Sequence, residues 1–271
     1  MASLSELRAS RELLINLTLR ELRGKYKRSL LGWSWSLLNP LATMLVFTVV
    51  FRFFLRIDFP PGDPSGLHSF AFALVIGLLP WNFLSNGING SMTALIGNAN
   101  LIKKVYFPRE VLVMANVASW VVSLLIELSV LAVALMIVGN FVVPWLVPVL
   151  VIVAIQTVFV IGIGLALSVL NVYFRDVAHL VGILLQVWFY ATPIVYPIGF
   201  VQEATKNLGW AMTLYRLNPM VRFVEAYQDC LYHLRLPTVA NVAYLLAAAT
   251  AALLVGLVVF VRLEPKLAEE L

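Results

Sequence analysis

The segment Asn98–Glu110 reads NANLIKKVYFPRE and separates two long apolar runs. An apolar run of about 20 residues crosses a bilayer once, so this polar, basic segment lies at one membrane face. Lys103 and Lys104 favour the cytoplasmic face, because loops on that side carry an excess of lysine and arginine. Pro108 followed by Glu110 favours a helix that starts at the proline. The segment predicts a short surface helix joined stiffly to the next span and placed to receive force from a soluble partner.

The composition indicates a polytopic membrane protein. The chain has 271 residues, of which 61% are hydrophobic and 12% charged, and its mean hydropathy is +0.92. A soluble domain carries about 25% charged residues. The net charge of +5 does not indicate a nucleic-acid partner, because the basic residues flank apolar runs, where anionic lipid headgroups attract them. A single cysteine, Cys230, excludes an intrachain disulfide and is expected to be inert.

The apolar runs predict six spans, at residues 34–54, 69–95, 111–138, 149–170, 177–192 and 238–261. The connection 57–68, IDFPPGDPSGLH, is rich in proline and glycine and is expected to be an irregular external loop. Residues 194–237 are too polar to form a simple span, and Asn218-Pro219 predicts a capped short helix there. Most of the 19 lysines and arginines then lie on the side that holds both termini, which predicts cytoplasmic termini.

Residues 1–33 predict a helix lying along the cytoplasmic membrane surface. Its apolar stripe is imperfect, with Leu13 and Leu17 outside it, and the stripe comprises Leu4, Leu7, Leu14, Ile15 and Leu22. Several cationic and aromatic residues near its end could collect a pyrophosphate headgroup at the interface, namely Arg20, Arg23, Lys25, Tyr26, Lys27 and Arg28. Contact with bulk anionic lipid is the alternative for these residues.

Sequence motifs for several chemistries are absent from the chain. No G-x-x-x-x-G-K-[ST] phosphate loop occurs, since Gly24-Lys25 is followed by Tyr26. The three histidines, His68, His179 and His233, are scattered and do not predict a metal site. Acidic residues do not cluster as phosphate or sugar chemistry requires. We therefore expect no enzyme, no metal and no cofactor in this chain, but a membrane passage driven by a separate protein.

Four segments resemble one known family in the right order along the chain. They are YKRSLLGWSWSLLNPLATMLVF (26–47), NLIKKVYFPREVL (100–112), NVYFRDVAHLVGILLQVWFYATPIVYP (171–197) and LNPMVRFVEAYQD (217–229). This pattern resembles the permease subunits of ABC-2-type exporters for lipid-linked polysaccharides, the group that exports O-antigen, capsule and teichoic acid. The loop 57–68 is longer and richer in proline and glycine than is typical of that family.

The resemblance implies an all-α integral membrane fold with six transmembrane helices and an N-terminal amphipathic interface helix (1–33). It further implies a transmembrane domain (34–262) with a coupling helix (98–110) and re-entrant external gate helices (194–237), followed by a cytoplasmic tail (263–271). The implied partners are a second copy of the chain, two ATP-binding cassette subunits that hydrolyse Mg-ATP, membrane lipids and a polyprenyl-pyrophosphate-linked glycan. The implied location is the bacterial cytoplasmic (inner) membrane.

On this resemblance two connections would contact the ATPase. The residues concerned are Asn100, Leu101, Ile102, Lys103, Lys104, Val105, Tyr106, Phe107, Pro108, Arg109 and Glu110 in the first, and Arg175 and Asp176 in the second. The alternative for the first group is that its charges only set the membrane topology. For Arg175 and Asp176 the alternative is a local ion pair that fixes the loop.

Aromatic residues within the spans could line a sugar path, because the apolar CH faces of sugars stack on rings. The candidates are Phe47, Phe51, Trp81, Phe83, Trp188, Phe189 and Tyr190. Helix packing and lipid contact are the alternatives for each of them. Glu127 lies deep in an apolar run and must face a partner, a cavity or water, or be protonated for structural reasons.

The resulting hypothesis is the membrane-spanning subunit of an ATP-driven exporter of lipid-linked polysaccharide. An ABC-2 exporter of small molecules such as drugs is the alternative within transport. A membrane-embedded glycosyl- or phosphotransferase is disfavoured because acidic residues do not cluster. A passive channel would differ from all of these by conducting without ATP.

Overall fold

The computed structural model describes residues 11–26, 35–105, 107–206 and 208–270. Every regular element within these ranges is helical, which confirms the all-α prediction for that part of the chain. Several predicted features lie outside the described residues: Leu4, Leu7, Lys27, Arg28, Tyr106 and the side chain of Tyr26.

The α-helices are α1 Arg11–Tyr26, α2 Trp35–Phe47, α3 Phe70–Ala94, α4 Ala99–Lys104, α5 Glu110–Ile137, α6 Leu146–Tyr173, α7 Val177–Tyr190, α8 Ile198–Ala204, α9 Gly209–Arg216, α10 Pro219–Gln228, α11 Val239–Leu263 and α12 Leu267–Glu270. A π-helical segment, Thr48–Phe54, continues α2, and a second one, Asp229–His233, continues α10. Short 3-10 turns precede α4, α6 and α12.

Four helices are long and apolar enough to cross a membrane: α3, α5, α6 and α11. Each has 25 to 28 residues, more than the roughly 20 that a bilayer core requires. The other two predicted spans correspond to shorter apolar helices, Leu41–Phe54 and Val177–Tyr190. Length and composition thus identify four candidate membrane-spanning helices in the described residues.

The four long helices place the connections at two ends of the bundle. Residues 94–113, 165–178 and 257–270 form what we call the basic end, and residues 55–69, 138–146 and 191–238 form the loop end. Helices α3, α6 and α11 run from the loop end to the basic end, and α5 runs back. A large apolar core fills the loop end and the middle of the bundle. A smaller core at the basic end includes Leu17, Ile102, Leu112, Val169 and Leu267.

Helices α6 and α11 approach until their backbones touch. A Cβ atom added to Gly256 would overlap the carbonyl group of Gly162, and one added to Gly162 would overlap the backbone of Ala252 and Leu253. Small residues permit such close approach between membrane helices, where dispersion contacts replace the hydrophobic drive. Glycine at these two positions is therefore required by the packing of α6 on α11.

The structure corrects two local predictions. In α1 the buried side chains are Leu17 and Leu22, while Ile15 is 47% exposed, so the predicted apolar stripe was wrong for Leu17 and Ile15. The reason is that α1 packs along α5 and is not laid against a flat surface. Helix α5 begins at Glu110, two residues after Pro108, whose carbonyl accepts a hydrogen bond from the Val111 N–H in the preceding turn.

Two other local predictions are confirmed. The side chain of Asn218 accepts a hydrogen bond from the Met220 N–H at 3.0 Å, and Pro219 is the first residue of α10. Residues 57–68 form an irregular loop with no helix. Cap chemistry and proline–glycine content are local signals, and here tertiary packing does not override them.

Replacing Gly256 by alanine is expected to lower the thermal unfolding midpoint of the purified protein in detergent. The added methyl group must push the α6 and α11 backbones apart, and overpacking of this kind costs about 1–3 kcal/mol. The matched control is Gly199→Ala, where an added Cβ meets nothing within 4 Å. Alanine is also the better helix former, so an equal or higher midpoint for Gly256→Ala would show that the close contact is not required.

Candidate functional site

The predicted coupling segment contains the short helix α4 at the basic end, and Val105, the residue after that helix, is extended. Ile102 is only 7% exposed and anchors α4 in the basic-end core, while Lys103, Lys104 and Val105 are exposed. The segment borders an open cleft of about 210 Å³, lined by Ile102, Lys103, Lys104, Val105, Phe107 and Arg109. The lining of the cleft combines apolar side chains with three cationic ones, those of Lys103, Lys104 and Arg109.

Two side chains join this segment and α6 to the end of α11. The Arg109 guanidinium donates to the Glu264 carbonyl at 2.8 Å, and the Tyr173 hydroxyl donates to the Leu263 carbonyl at 2.8 Å. The last carbonyls of a helix lack partners within the helix, so these bonds satisfy groups that would otherwise be open. Leu267 is fully buried beneath them. The described part of the predicted cytoplasmic tail, residues 263–270, packs against α4 and α6.

The second predicted contact is held by a buried amide. Asn171 is 4% exposed, donates to the Met92 carbonyl at 2.9 Å and accepts from the Ala178 N–H at 3.2 Å. It thus joins the end of α3 to the start of α7. Arg175 and Asp176, both described, are exposed in the intervening turn and do not form the ion pair that the sequence allowed.

The predicted headgroup cations do not converge on one site in the described residues. Arg20 donates to Glu21 at 2.9 Å and to the Asn98 side chain at 2.7 Å. Arg23 is exposed to the surroundings of the bundle. Lys25 instead points at α5, where it contacts Trp120 and Ser123.

Six of the seven predicted aromatic residues form one continuous cluster. The ring centroids of Phe47 and Phe51 are 5.7 Å apart, and Phe47 lies 6.1 Å from Phe189. Phe189 in turn lies 5.5 Å from Trp81. The remaining contacts are Trp81 with Trp188 at 6.0 Å and Phe189 with Tyr190 at 5.2 Å. Helix α2 with its π-helical continuation, α3 and α7 supply these rings.

Phe83, the seventh predicted aromatic residue, lies outside the cluster. Trp188, one of the six, also forms a hydrogen bond outside it. Phe83 is 3% exposed and belongs to the apolar core. The Trp188 indole N–H donates to the Asn218 side chain at 2.7 Å, which ties the cluster to the start of α10. Trp188 therefore connects the aromatic cluster to α10 through this hydrogen bond.

An open groove of about 290 Å³ runs between α3 and α7 along the aromatic cluster. Its lining residues are Trp81, Ser85, Asn89, Gly182, Leu185, Gln186, Phe189 and Tyr190. Rings and hydrogen-bonding side chains thus share one concave surface. A sugar has both apolar CH faces and hydroxyl groups, and this lining offers partners for each.

The sequence reading missed the polar members of this groove. Trp81, Ser85 and Asn89 follow one another at intervals of four residues, so they share one face of α3. Gln186 precedes Tyr190 by the same interval on α7. This four-residue spacing of polar residues from a tryptophan was the sequence signal that could have identified the polar residues of the groove.

A second missed residue holds α10 within the bundle. Gln156 is fully buried in α6 and donates to the Pro80 carbonyl of α3 at 2.8 Å. The fully buried Tyr227 donates its hydroxyl proton to the Gln156 side-chain oxygen at 2.9 Å. A side-chain amide inside a membrane requires such partners, because burying it without a hydrogen bond costs on the order of several kcal/mol of free energy. The chain Pro80–Gln156–Tyr227 joins three helices.

The loop 57–68 is held on the π-helical segment after α10. The Tyr232 hydroxyl donates to the Pro60 carbonyl at 3.1 Å, and the Asp63 N–H donates to His233 Nδ1 at 3.1 Å. Burial lowers the pKa of His233, which favours the neutral imidazole that this acceptor role requires. Burial raises the pKa of the Asp229 carboxyl, and the hydrogen bond from Arg235 at 2.7 Å opposes that rise.

Comparisons with known proteins match almost the whole chain. The profile of the family described as "ABC-2 type transporter" matches residues 12–232. The O-antigen export system permease protein RfbA of Myxococcus xanthus is 36% identical over 250 residues, which are 92% of this chain and 91% of that protein. RfbA of Klebsiella pneumoniae is 28% identical over 261 residues, covering 95% and 94%. The polysialic acid transport protein KpsM of Escherichia coli is 21% identical over 245 residues, covering 90% of each.

Proposed function

This chain belongs to the ABC-2 type transporter family, and we propose that it is the membrane-spanning subunit of an ATP-driven exporter of lipid-linked polysaccharide. The end-to-end likeness to an O-antigen export permease carries the proposal. A groove that combines rings with amides at the side of the bundle supports it. ATP would be bound and hydrolysed by a separate ATP-binding cassette subunit, and the substrate would be a polyprenyl-pyrophosphate-linked glycan.

The proposed topology has six spans in the inner membrane with both termini in the cytoplasm. Helix α2 and its π-helical continuation together approach the roughly 30 Å thickness of the hydrocarbon core. Helix α7 has 14 residues and would be the fifth span, followed by the short re-entrant helices α8 to α10. The basic end carries Lys103, Lys104, Arg109 and Arg175, which supports a cytoplasmic position for it.

A second copy of the chain would complete the passage. Helix α7 presents a row of exposed apolar side chains away from the bundle, namely Leu180, Ile183, Leu184 and Val187. Exposed apolar faces of this kind contact lipid or another subunit. The groove lies beside this row, so a pair of copies facing each other there would enclose a shared path.

The basic end would receive the ATP-binding subunit through the cleft of the coupling segment and the turn at Arg175 and Asp176. The contacts of Arg109, Tyr173 and Leu267 support this role, since they join the exposed segment to the ends of α6 and α11. A displacement imposed at Lys103 would therefore act on α6, on α11 and on α5, which begins directly after Arg109, and not on a free loop.

Reversing one charge at the cleft is expected to weaken partner binding. In Lys103→Glu, an acidic partner surface would meet a like charge, which costs about 1.4 kcal/mol or a factor of about ten. Co-purification of the ATP-binding subunit with equal amounts of permease measures this. The matched control is Lys206→Glu, an exposed lysine at the loop end. Equal recovery with both variants would place the partner elsewhere.

The groove would hold successive sugar rings during export. Tyr190→Ala removes an exposed ring from its edge, and the loss of about 1 kcal/mol of stacking should slow export about fivefold. Tyr190→Phe keeps the ring and should retain export. Leu254→Ala shortens an exposed side chain on α11 that does not line the groove, and controls for general damage to the bundle. The measurement is the export rate of each variant at matched membrane abundance. Equal rates for Tyr190→Ala and Tyr190→Phe would contradict the stacking role.

The function itself is tested by reconstitution. Permease and ATP-binding subunit are placed in vesicles with radiolabelled polyprenyl-linked glycan, and a glycosidase added outside digests whatever has not been transported. ATP should render the glycan resistant, and omission of either protein or of ATP should leave it sensitive. Glycan that stays sensitive while ATP drives uptake of small fluorescent drugs would instead identify a small-molecule exporter. ATP hydrolysis by the permease alone would contradict the assignment of subunits.

A further inference from the structure

Lys25 at the end of α1 makes two contacts with one face of α5. Its ammonium nitrogen lies 3.2 Å from the centroid of the Trp120 ring and 3.3 Å from the Ser123 hydroxyl oxygen. Glu127 follows Ser123 by four positions on α5. Positions 120, 123 and 127 are spaced by three and four residues, so they lie on one helical face. A ring and a hydroxyl thus contact the cation, and a carboxylate lies on the same face of α5 one turn further along.

This contact lies well inside the membrane-spanning part of α5. Ser123 is 13 positions after Glu110, the first residue of α5, and each position rises about 1.5 Å. The contact is therefore about 20 Å along the helix from its basic end. Charges at such depth are costly unless they are paired. Glu127 and Lys25 each supply what the other requires.

The same helix reaches the coupling segment at an earlier turn. The Arg20 guanidinium donates to the side chain of Asn98, the residue before α4, at 2.7 Å. Leu17 packs in the basic-end core with Ile102 of α4. Helix α1 therefore touches the intramembrane part of α5 with one turn and the start of the coupling segment with another.

We propose that Lys25, Trp120, Ser123 and Glu127 form a charge contact that fixes α1 on α5 and thereby positions Asn98 at the start of the coupling segment. Lys25 and Glu127 are positioning residues in this arrangement. The structural part stands on the contacts of Lys25 with Trp120 and Ser123 and on the position of Glu127 on the same helical face, and only its consequence for coupling rests on the proposed function. Neutralising either charge leaves the other without its counter-charge, so α1 should leave α5.

The position of α1 can be measured directly in the isolated chain. Spin labels on Leu19→Cys and Ile96→Cys report the distance between α1 and the end of α3, and both positions are exposed. The native Cys230 is buried and should not react. The labelled protein is placed in nanodiscs and diluted with unlabelled protein, so that only distances within one chain are read by pulsed electron spin resonance.

The labelled protein that keeps both Lys25 and Glu127 should give one narrow distribution of distances between the two spin labels. Lys25→Gln and Glu127→Gln should each broaden it and lengthen its mean by about 5 Å or more, the height of one helical turn. The exchanged pair Lys25→Glu with Glu127→Lys should restore the narrow distance. Arg23→Gln is the matched control, because Arg23 is exposed two residues away, and it should change nothing.

An unchanged distance in Lys25→Gln would overturn the charge contact, as would equal broadening by Arg23→Gln or failure of the exchanged pair. The consequence is read separately, as glycan exported per ATP hydrolysed by the reconstituted complex. That ratio should fall severalfold in Lys25→Gln and recover in the exchanged pair. A broadened distance with an unchanged ratio would overturn the positioning role. Absence of export by the unmodified complex would count against the proposed function and leave the distance result valid.

Discussion

In a bilayer, a polar side chain on a spanning helix has no water to bond with and must find a partner within the protein. That constraint accounts for most of the arrangement of the short elements around the four long helices. Gln156 holds α10 through Tyr227, and Asn171 holds the start of α7. Lys25 holds α1 on α5. Apolar packing makes the bundle compact, while these few polar pairs decide which short segment lies against which helix.

Features that depend on one stretch of chain could be predicted from the sequence. The long spans, the basic segment, the irregular loop 57–68 and the Asn218 cap follow from apolar length, charge and local backbone chemistry. The aromatic residues of the cluster could also be named from the sequence, as rings within apolar runs, but their contacts with one another could not. Phe83 was wrongly grouped with Trp81: two residues apart on a helix, their side chains point to nearly opposite sides.

Features that depend on contact between distant residues could not be predicted. Nothing in the sequence around Lys25 distinguishes a lysine that meets headgroups from one that meets a tryptophan about a hundred positions later. The apolar stripe of α1 failed for the same reason, since a helix packed on a helix buries a narrower set of side chains than a helix lying on a surface. Gln156 and Asn171 were visible as amides in apolar runs, but only the fold shows which carbonyl each one meets.

The touching backbones of α6 and α11 bear on how such a protein could change shape. Two helices in contact at Gly162 and Gly256 have no side chains between them to rearrange, so they cannot slide or rotate past each other without separating. Together they form an immobile frame through the thickness of the membrane. Any widening that admits a bulky polymer must then come from another part of the bundle, such as the place where α2, α3 and α7 meet through edge-to-face and tilted ring contacts.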